Sequence, residues 1–289
     1  MDLRVGTLIL PSEPWADARE TWQQAEEAGF DIAYTADHLT HPTMAGQWWA
    51  DGWTTLAAAA GVTEGLQLGT LVASAAVRPP AVLARQSATL ADLSGGRFVL
   101  GLGAGAALDA VAAGLAAPTP TELAARFESV VADLRVLWAG GEPARDLGVA
   151  VAAHAPGVEP PHLMLAAHGP RAMTTVARHA DGWSTYGGPK ASGLSGSQFW
   201  DLVSTQVSGL EQACQREGRE PASLRRSLLL GWSDDRPLSS LASFTAAADQ
   251  ALALGFDELV VYWPQGQPGA RFWADPEVVR ECVRSVRTA

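Results

Sequence analysis

Runs of strand length alternate with longer stretches of helical periodicity along this chain, and that alternation limits its fold more than any other feature. It is the pattern of repeated β-α units, which build parallel sheets because each helix carries the chain back to the start of the next strand. Eight apolar runs qualify as strands: Leu3–Leu10, Asp31–Thr35, Leu66–Ala73, Arg97–Gly101, His162–Ala166, Gly182–Tyr186, Ser227–Gly231 and Glu258–Tyr262. The intervening helices carry ordinary start and stop signals. Glu13 and Pro14 open the first and Gly29 closes it, and Leu254-Gly255-Phe256-Asp257 repeats the same stop before the last strand. An open doubly wound sheet needs a dinucleotide fingerprint after its first strand to bind nucleotide there, and none is present. Even alternation without it favours closure into a (β/α)8 TIM barrel occupying residues 1–289 as one domain.

The hydrophobic fraction of 47% over 289 residues is enough for one continuous core. A net charge of −11 with no basic cluster argues against nucleic acid and anionic membranes as partners. Cys214 and Cys282 fall in separate predicted helices without a metal-ligand or redox partner at short spacing, so no disulfide framework is expected. The first residues place Glu13, Pro14 and Asp17 where a signal peptide stays apolar, and the expected location is cytoplasmic.

In a barrel, function gathers where strands end. Thr35-Ala36-Asp37-His38 directly follows the second proposed strand, ahead of His41 and Trp48, Trp49 and Trp53. An imidazole there can pass a proton near neutral pH, and Asp37 either orients it or merely caps a turn. His38 and His41 lack further ligands at metal spacing, so no metal is expected. The tryptophans at 48, 49, 53, 183 and 263 suit an apolar or planar molecule, or belong to the core. Thr40–Asp51 and Gly140–Pro161 read as long loops, and the Gly- and Ser-rich segment Gly187–Ser197 reads as mobile.

Residues 68–105, LGTLVASAAVRPPAVLARQSATLADLSGGRFVLGLGAG, join GFDIAYTADH at 29–38, LAAHGPRAMTTVARHADGW at 165–183 and GFDELVVYWP at 255–264. In that order and spacing the four segments resemble the luciferase-like monooxygenase superfamily over nearly the whole chain. The resemblance implies a redox site at the barrel mouth for the deazaflavin coenzyme F420, with FMN as the alternative and a non-catalytic flavin-binding barrel as a further one. It implies hydride transfer with a small organic substrate, with His38 and Asp37 beside the reacting atoms. A non-proline cis peptide behind the ring maps onto Leu71-Val72-Ala73, and Gly103 and Gly105 of the Gly-x-Gly-x-Gly strand exit line the cofactor. The cofactor phosphate maps onto Ala167, His168, Gly169 and Pro170, where the amino-terminus of a helix offers unpaired N–H groups to an anion. Arg78 and Arg85 are further anion candidates, although Arg85 falls within a predicted helix and suits a structural ion pair better. Relatives pair as homodimers through helices flanking strands two to four, and Ala57–Gly61 offers a small-residue surface for that contact. The chain departs from the pattern at Ala106-Ala107-Leu108, where several deazaflavin-dependent relatives carry an acid; Asp109, three residues on, is the substitute.

Overall fold

The computed structural model describes residues 3–40, 46–149 and 154–287. Its strands are β1 (Arg4–Ile9), β2 (Ile32–Thr35), β3 (Gln67–Thr70), β4 (Ala73–Ser74), β5 (Phe98–Gly103), β6 (His162–Ala166), β7 (Gly182–Thr185), β8 (Arg225–Leu229) and β9 (Glu258–Tyr262). The helices are α1 (Trp15–Glu27), α2 (Gly52–Ala60), α3 (Pro80–Leu93), α4 (Ala107–Ala112), α5 (Pro120–Ala139), α6 (Gly141–Asp146), α7 (Pro170–His179), α8 (Ser197–Arg216), α9 (Leu241–Ala253) and α10 (Pro276–Arg287).

All strand pairs are parallel, in the order β3-β2-β1-β9-β8-β7-β6-β5-β4, and β3 also pairs with β5. That last pairing closes the sheet, giving an eight-strand (β/α)8 barrel in which β3 and β4 are two halves of one wall strand. The third expected strand therefore exists but is broken at Leu71–Val72, where the peptide bond is cis. The fourth runs on to Gly103 and the seventh begins at Arg225, both beyond the expected limits. The loop expected over Gly140–Pro161 contains α6, and the segment after β7 is anchored by Ala191, which is fully buried.

Alternation along each strand divides the apolar side chains into two layers. Leu8, Ile32, Tyr34, Val99, Met164, Leu229 and Val260 fill the barrel, whereas Val5, Ile9, Ala33, Phe98, Leu100, Leu163, Leu228 and Leu259 meet the helices. On β5 the inward positions after Val99 are Gly101 and Gly103, and the reason is steric. A Cβ on Gly101 would collide with the Thr70 carbonyl oxygen, and one on Gly103 would sit 2.7 Å from a Val72 methyl. The broken third strand leans across β5, and only glycine leaves it room.

Arg97 explains the Leu-Ser-Gly-Gly-Arg stretch in the same physical terms. Gly95 and Gly96 take positive φ, so the chain turns sharply, and the Arg97 guanidinium donates to the carbonyl oxygens of Ala60, Thr63, Leu66 and Ser94. This fork ties the loop after α2 to the entry of β5. At the amino-terminal end of the barrel, fully buried Glu258 accepts hydrogen bonds from Tyr34 Oη and Ser227 Oγ, each at 2.8 Å, with Arg4 Nε at 3.7 Å from its other oxygen. Cys214 and Cys282 are buried free thiols in α8 and α10. Among the described residues no helix is long and apolar enough to cross a membrane.

Candidate active site

Ile32 and Tyr34 point into the barrel and Ala33 points out, and the same alternation carries past the end of β2. His38 and Asp37 consequently belong to different environments. The imidazole Nδ1 of His38 lies 2.8 Å from Asp109 Oδ2. The other Asp109 oxygen accepts from the backbone N–H groups of Leu39 at 2.9 Å and Thr40 at 3.2 Å. Asp109 stands in the first turn of α4, directly after the glycine-rich exit of β5, and its side chain is almost wholly buried while that of His38 is 39% exposed. The carboxylate thus fixes the ring and the loop that carries it, leaving the ring partly open to solvent.

The electrostatics follow from these bonds. The hydrogen bond that the His38 ring donates to Asp109 raises the His38 pKa above its ordinary value, against the opposing effect of burial. Burial pushes the Asp109 carboxyl up, but the bonds to His38, Thr40 and Leu39 outweigh it and hold the group below its usual range. The pair is poised as carboxylate and imidazole, with the protonated ring favoured beyond its ordinary range.

Asp37 does not orient His38. It is buried on the helix side of the wall, where both oxygens receive the Arg78 guanidinium at 2.6 Å and Oδ2 also accepts from Trp53 Nε1 at 3.2 Å and from the Ser74 N–H at 3.3 Å. Arg78, expected as an anion ligand, is spent on this pair and on Asp51, with its guanidinium over the Trp53 ring. Trp53 and Trp183 are core residues: Trp183 stacks on Phe256 and donates to the Ala167 carbonyl oxygen. Trp48 is exposed, and Trp263 packs edge-on against Phe30. His41 lies outside the described residues.

Around the mouth, half-buried Leu10, Leu71, Tyr186 and Tyr262 cap the barrel interior as an apolar floor. Gly103 and Gly105 face the broken strand: a Cβ on Gly105, which has φ +84°, would strike Ser74 Oγ and the Ala76 methyl. Their first structural duty is to admit that strand. The corner assigned to phosphate opens α7 at Pro170, with Gly169 as an N-cap that offers no side-chain partner. Ala167 spends its N–H on the Ser184 carbonyl oxygen, so donors there come from the residues after it. His168 bonds Thr185 Oγ1 at 3.2 Å and meets Tyr186 edge-on, and burial lowers its pKa to about 4, leaving it neutral. Gly188 lies over the His168 ring and leads to Lys190. Lys190 is the sole lysine of the chain and has no ion pair among the described residues.

Tyr186, Tyr262 and Lys190 escaped the sequence reading. Both tyrosines ended proposed strands, so the rule that singled out His38 applied equally to them. Beside Tyr262, which stacks on Phe272 at 4.1 Å, a cavity of about 370 Å³ separates the loops after β8 and β9. Those loops are latched to each other: Arg271 donates to the carbonyl oxygens of residues 231–233, and Arg236 donates to those of Ala270 and Arg271.

The mouth suits a planar heterocycle bearing a phosphate arm. The floor is apolar, the buried Trp232 Nε1 beside Tyr186 meets no acceptor among the described residues, and the helix at Pro170 starts without a side-chain cap. Fold and site together define a parallel α/β barrel whose candidate site lies at the carboxyl ends of the strands. A family model described as luciferase-like monooxygenase matches residues 3–199, and the chain belongs to that family.

The F420-dependent glucose-6-phosphate dehydrogenase of Beutenbergia cavernae is 37% identical over 172 residues, covering 55% of this chain and 49% of that protein. The F420-dependent hydroxymycolic acid dehydrogenase of Mycobacterium tuberculosis is 30% identical over 250 residues, covering 78% and 62%. The matched region thus spans roughly half to two thirds of these relatives. Among solved structures, an F420-dependent secondary alcohol dehydrogenase in complex with an F420-acetone adduct superposes with TM-score 0.78 at 17% identity, covering 99% of this chain and 100% of the other. The F420-dependent tetrahydromethanopterin reductase of Methanopyrus kandleri superposes with TM-score 0.70 at 16% identity, covering 98% and 97%.

Proposed function

We propose that the chain is an F420-dependent oxidoreductase that exchanges hydride with a small organic substrate at the barrel mouth, His38 carrying the proton. The observation behind this reading is the His38–Asp109 pair at the mouth of a barrel whose interior is capped by Leu10, Leu71, Tyr186 and Tyr262. The curated relatives named above are F420-dependent dehydrogenases, which supports the deazaflavin over FMN. When bound, the deazaflavin supplies the acceptor or donor for hydride.

The protein's own residues do the rest. Asp109 holds His38 in one orientation and stabilises its protonated form, so the ring exchanges a proton with the substrate oxygen close to neutral pH, where such catalysts work best. Leu10, Leu71, Tyr186 and Tyr262 support the heterocycle, with Leu71, Val72 and Ala73 forming the wall behind it and Gly103 and Gly105 leaving space for that wall. The backbone N–H groups following Ala167, at His168, Gly169 and Arg171, take the phosphate with Lys190, Pro170 having no N–H to give. Homodimer formation through Ala57–Gly61 belongs to the same proposal, and light scattering at micromolar concentration checks it. So does a cytoplasmic location, which the two free thiols support.

Fluorescence titration with F420 and with FMN tests the cofactor. Micromolar or tighter binding of F420, with FMN weaker, is the expected result. Tighter FMN binding would move the chain to the oxygen-using branch of the family, and binding of neither would end the redox reading.

A further inference from the structure

Behind the corner where β6 and β7 end, four hydrogen bonds share their protons in only one consistent way. The Gln206 side chain, 6% exposed in α8, lies 2.9 Å from the Gly187 carbonyl oxygen, and because a carbonyl only accepts, that end of the amide is its nitrogen. The other end is the amide oxygen. Thr185 Oγ1 lies 2.6 Å from that oxygen and spends its one proton there. The hydroxyl is left with lone pairs only: it accepts the Gly187 N–H at 3.0 Å and faces His168 Nδ1 at 3.2 Å. His168 must be the donor.

The imidazole consequently carries its proton on Nδ1. Burial keeps the ring neutral by lowering its pKa to about 4, so at neutral pH Nε2 holds a bare lone pair, to which nothing among the described residues donates. Unlike the Nε2 of His162, it is not sealed in the interior. The ring meets Tyr186 edge-on at 4.8 Å, beside the residues that cap the barrel. A phosphate dianion has no proton to offer such an atom, whereas a hydroxyl does.

We propose that His168 Nε2 accepts a hydrogen bond from a hydroxyl of a bound polyol or sugar chain, and that Gln206, buried behind it, is the positioning residue that sets the ring's tautomer. That such a ligand lies at the barrel mouth rests on the oxidoreductase reading above; the tautomer does not. Gln206 acts through Thr185. Without the amide oxygen the Thr185 hydroxyl is free to donate to Nδ1, and the ring then presents Nε2–H, a donor in place of an acceptor. The hydroxyl chain belongs either to the cofactor or to a sugar substrate, and both offer the same group to the ring.

Long-range proton–nitrogen NMR of histidine-labelled protein without ligand locates the ring proton, with His168→Phe assigning the signal. The parent and Thr185→Ser should show Nδ1–H alone, and Gln206→Leu and Thr185→Val should populate Nε2–H; either of the last two serves where the other does not fold. Ribitol 5-phosphate should bind about three- to tenfold tighter than pentyl phosphate, the size of one net hydrogen bond, and His168→Phe should erase that preference. An equal loss of F420 affinity in His168→Phe assigns the hydroxyl to the cofactor. Unchanged F420 affinity with weaker glucose 6-phosphate binding to the F420 complex assigns it to the substrate. Nε2–H in the parent, a tautomer unmoved by Gln206→Leu and Thr185→Val, or equal affinities for the two phosphates would each overturn the proposal. Failure of the parent to bind F420 would sink the cofactor reading alone, because the tautomer and the phosphate pair are read without it.

Discussion

Asp37 and His38 are neighbours in sequence, yet each is held by a residue distant in sequence, on opposite sides of the barrel wall. Outside, Asp37 and Arg78 form a bidentate pair sealed beneath Trp53. At the mouth, His38 and Asp109 form a pair in which the acid is buried and the base is partly open. Both contain a buried carboxylate with several donors. What separates them is the partner: arginine does not titrate in the useful range, whereas histidine does. The outer pair fixes the shape of the loop and the mouth pair can move a proton.

Breaking the outer pair should give the largest effect. Asp37→Ala leaves the buried Arg78 with the half-exposed Asp51 at 3.4 Å and the Gln86 amide oxygen at 3.3 Å, and strands the Trp53 indole N–H. Removing one partner of such a pair costs about 3–5 kcal/mol, on the order of 6–15 °C in Tm for a chain of this size. Thermal melts should show that loss, and Asp37→Leu with Arg78→Met should recover most of it. A melt unchanged by Asp37→Ala would erase the distinction between the two regions.

His38→Asn sharpens it from the other side. The Asn amide still donates to Asp109, which also keeps the N–H groups of Leu39 and Thr40, so Tm should stay near that of the parent. Hydride transfer should fall about 10²-fold or more, the usual size of a general acid-base contribution, with cofactor affinity little changed. A destabilised variant with full activity per folded molecule would assign His38 to structure.

The strand-length runs and their helical spacers made the barrel legible, because alternation of β and α units leaves few parallel architectures. The break at Leu71–Val72 was not visible in the apolar run, but the glycines opposite it recorded the break: Gly101 and Gly103 occupy inward positions where the crossing chain needs room. The site was half legible. The position after the second strand singled out Asp37 and His38 together but did not assign them to different partners, and pairing His38 with Asp109 required knowing that the exits of β2 and β5 meet across the mouth. Arg78 misled because a lone arginine in a sequence does not reveal the buried acid that consumes it.

The smallest effect is a pH dependence that belongs to the mouth pair alone. A histidine whose folded pKa is raised above its unfolded value stabilises the fold fully below 6.5 and loses that contribution as pH rises through the raised value. A carboxyl held low stabilises above 3.8 and loses its contribution as pH falls through the lowered value. The His38–Asp109 contribution should therefore be greatest between 3.8 and 6.5. His168 acts with the opposite sign: burial sets its pKa at about 4, so stability is lost as pH falls from 6.5 toward that value. Because His168 is common to the parent and to His38→Asn, the difference between their melting temperatures cancels it. That difference should form a plateau across the window and shrink above 6.5. Partial exposure of His38 screens the pair and keeps the plateau low. A difference that grows with rising pH would mean that the ring is held neutral, and Asp109 would then orient His38 without stabilising its charge.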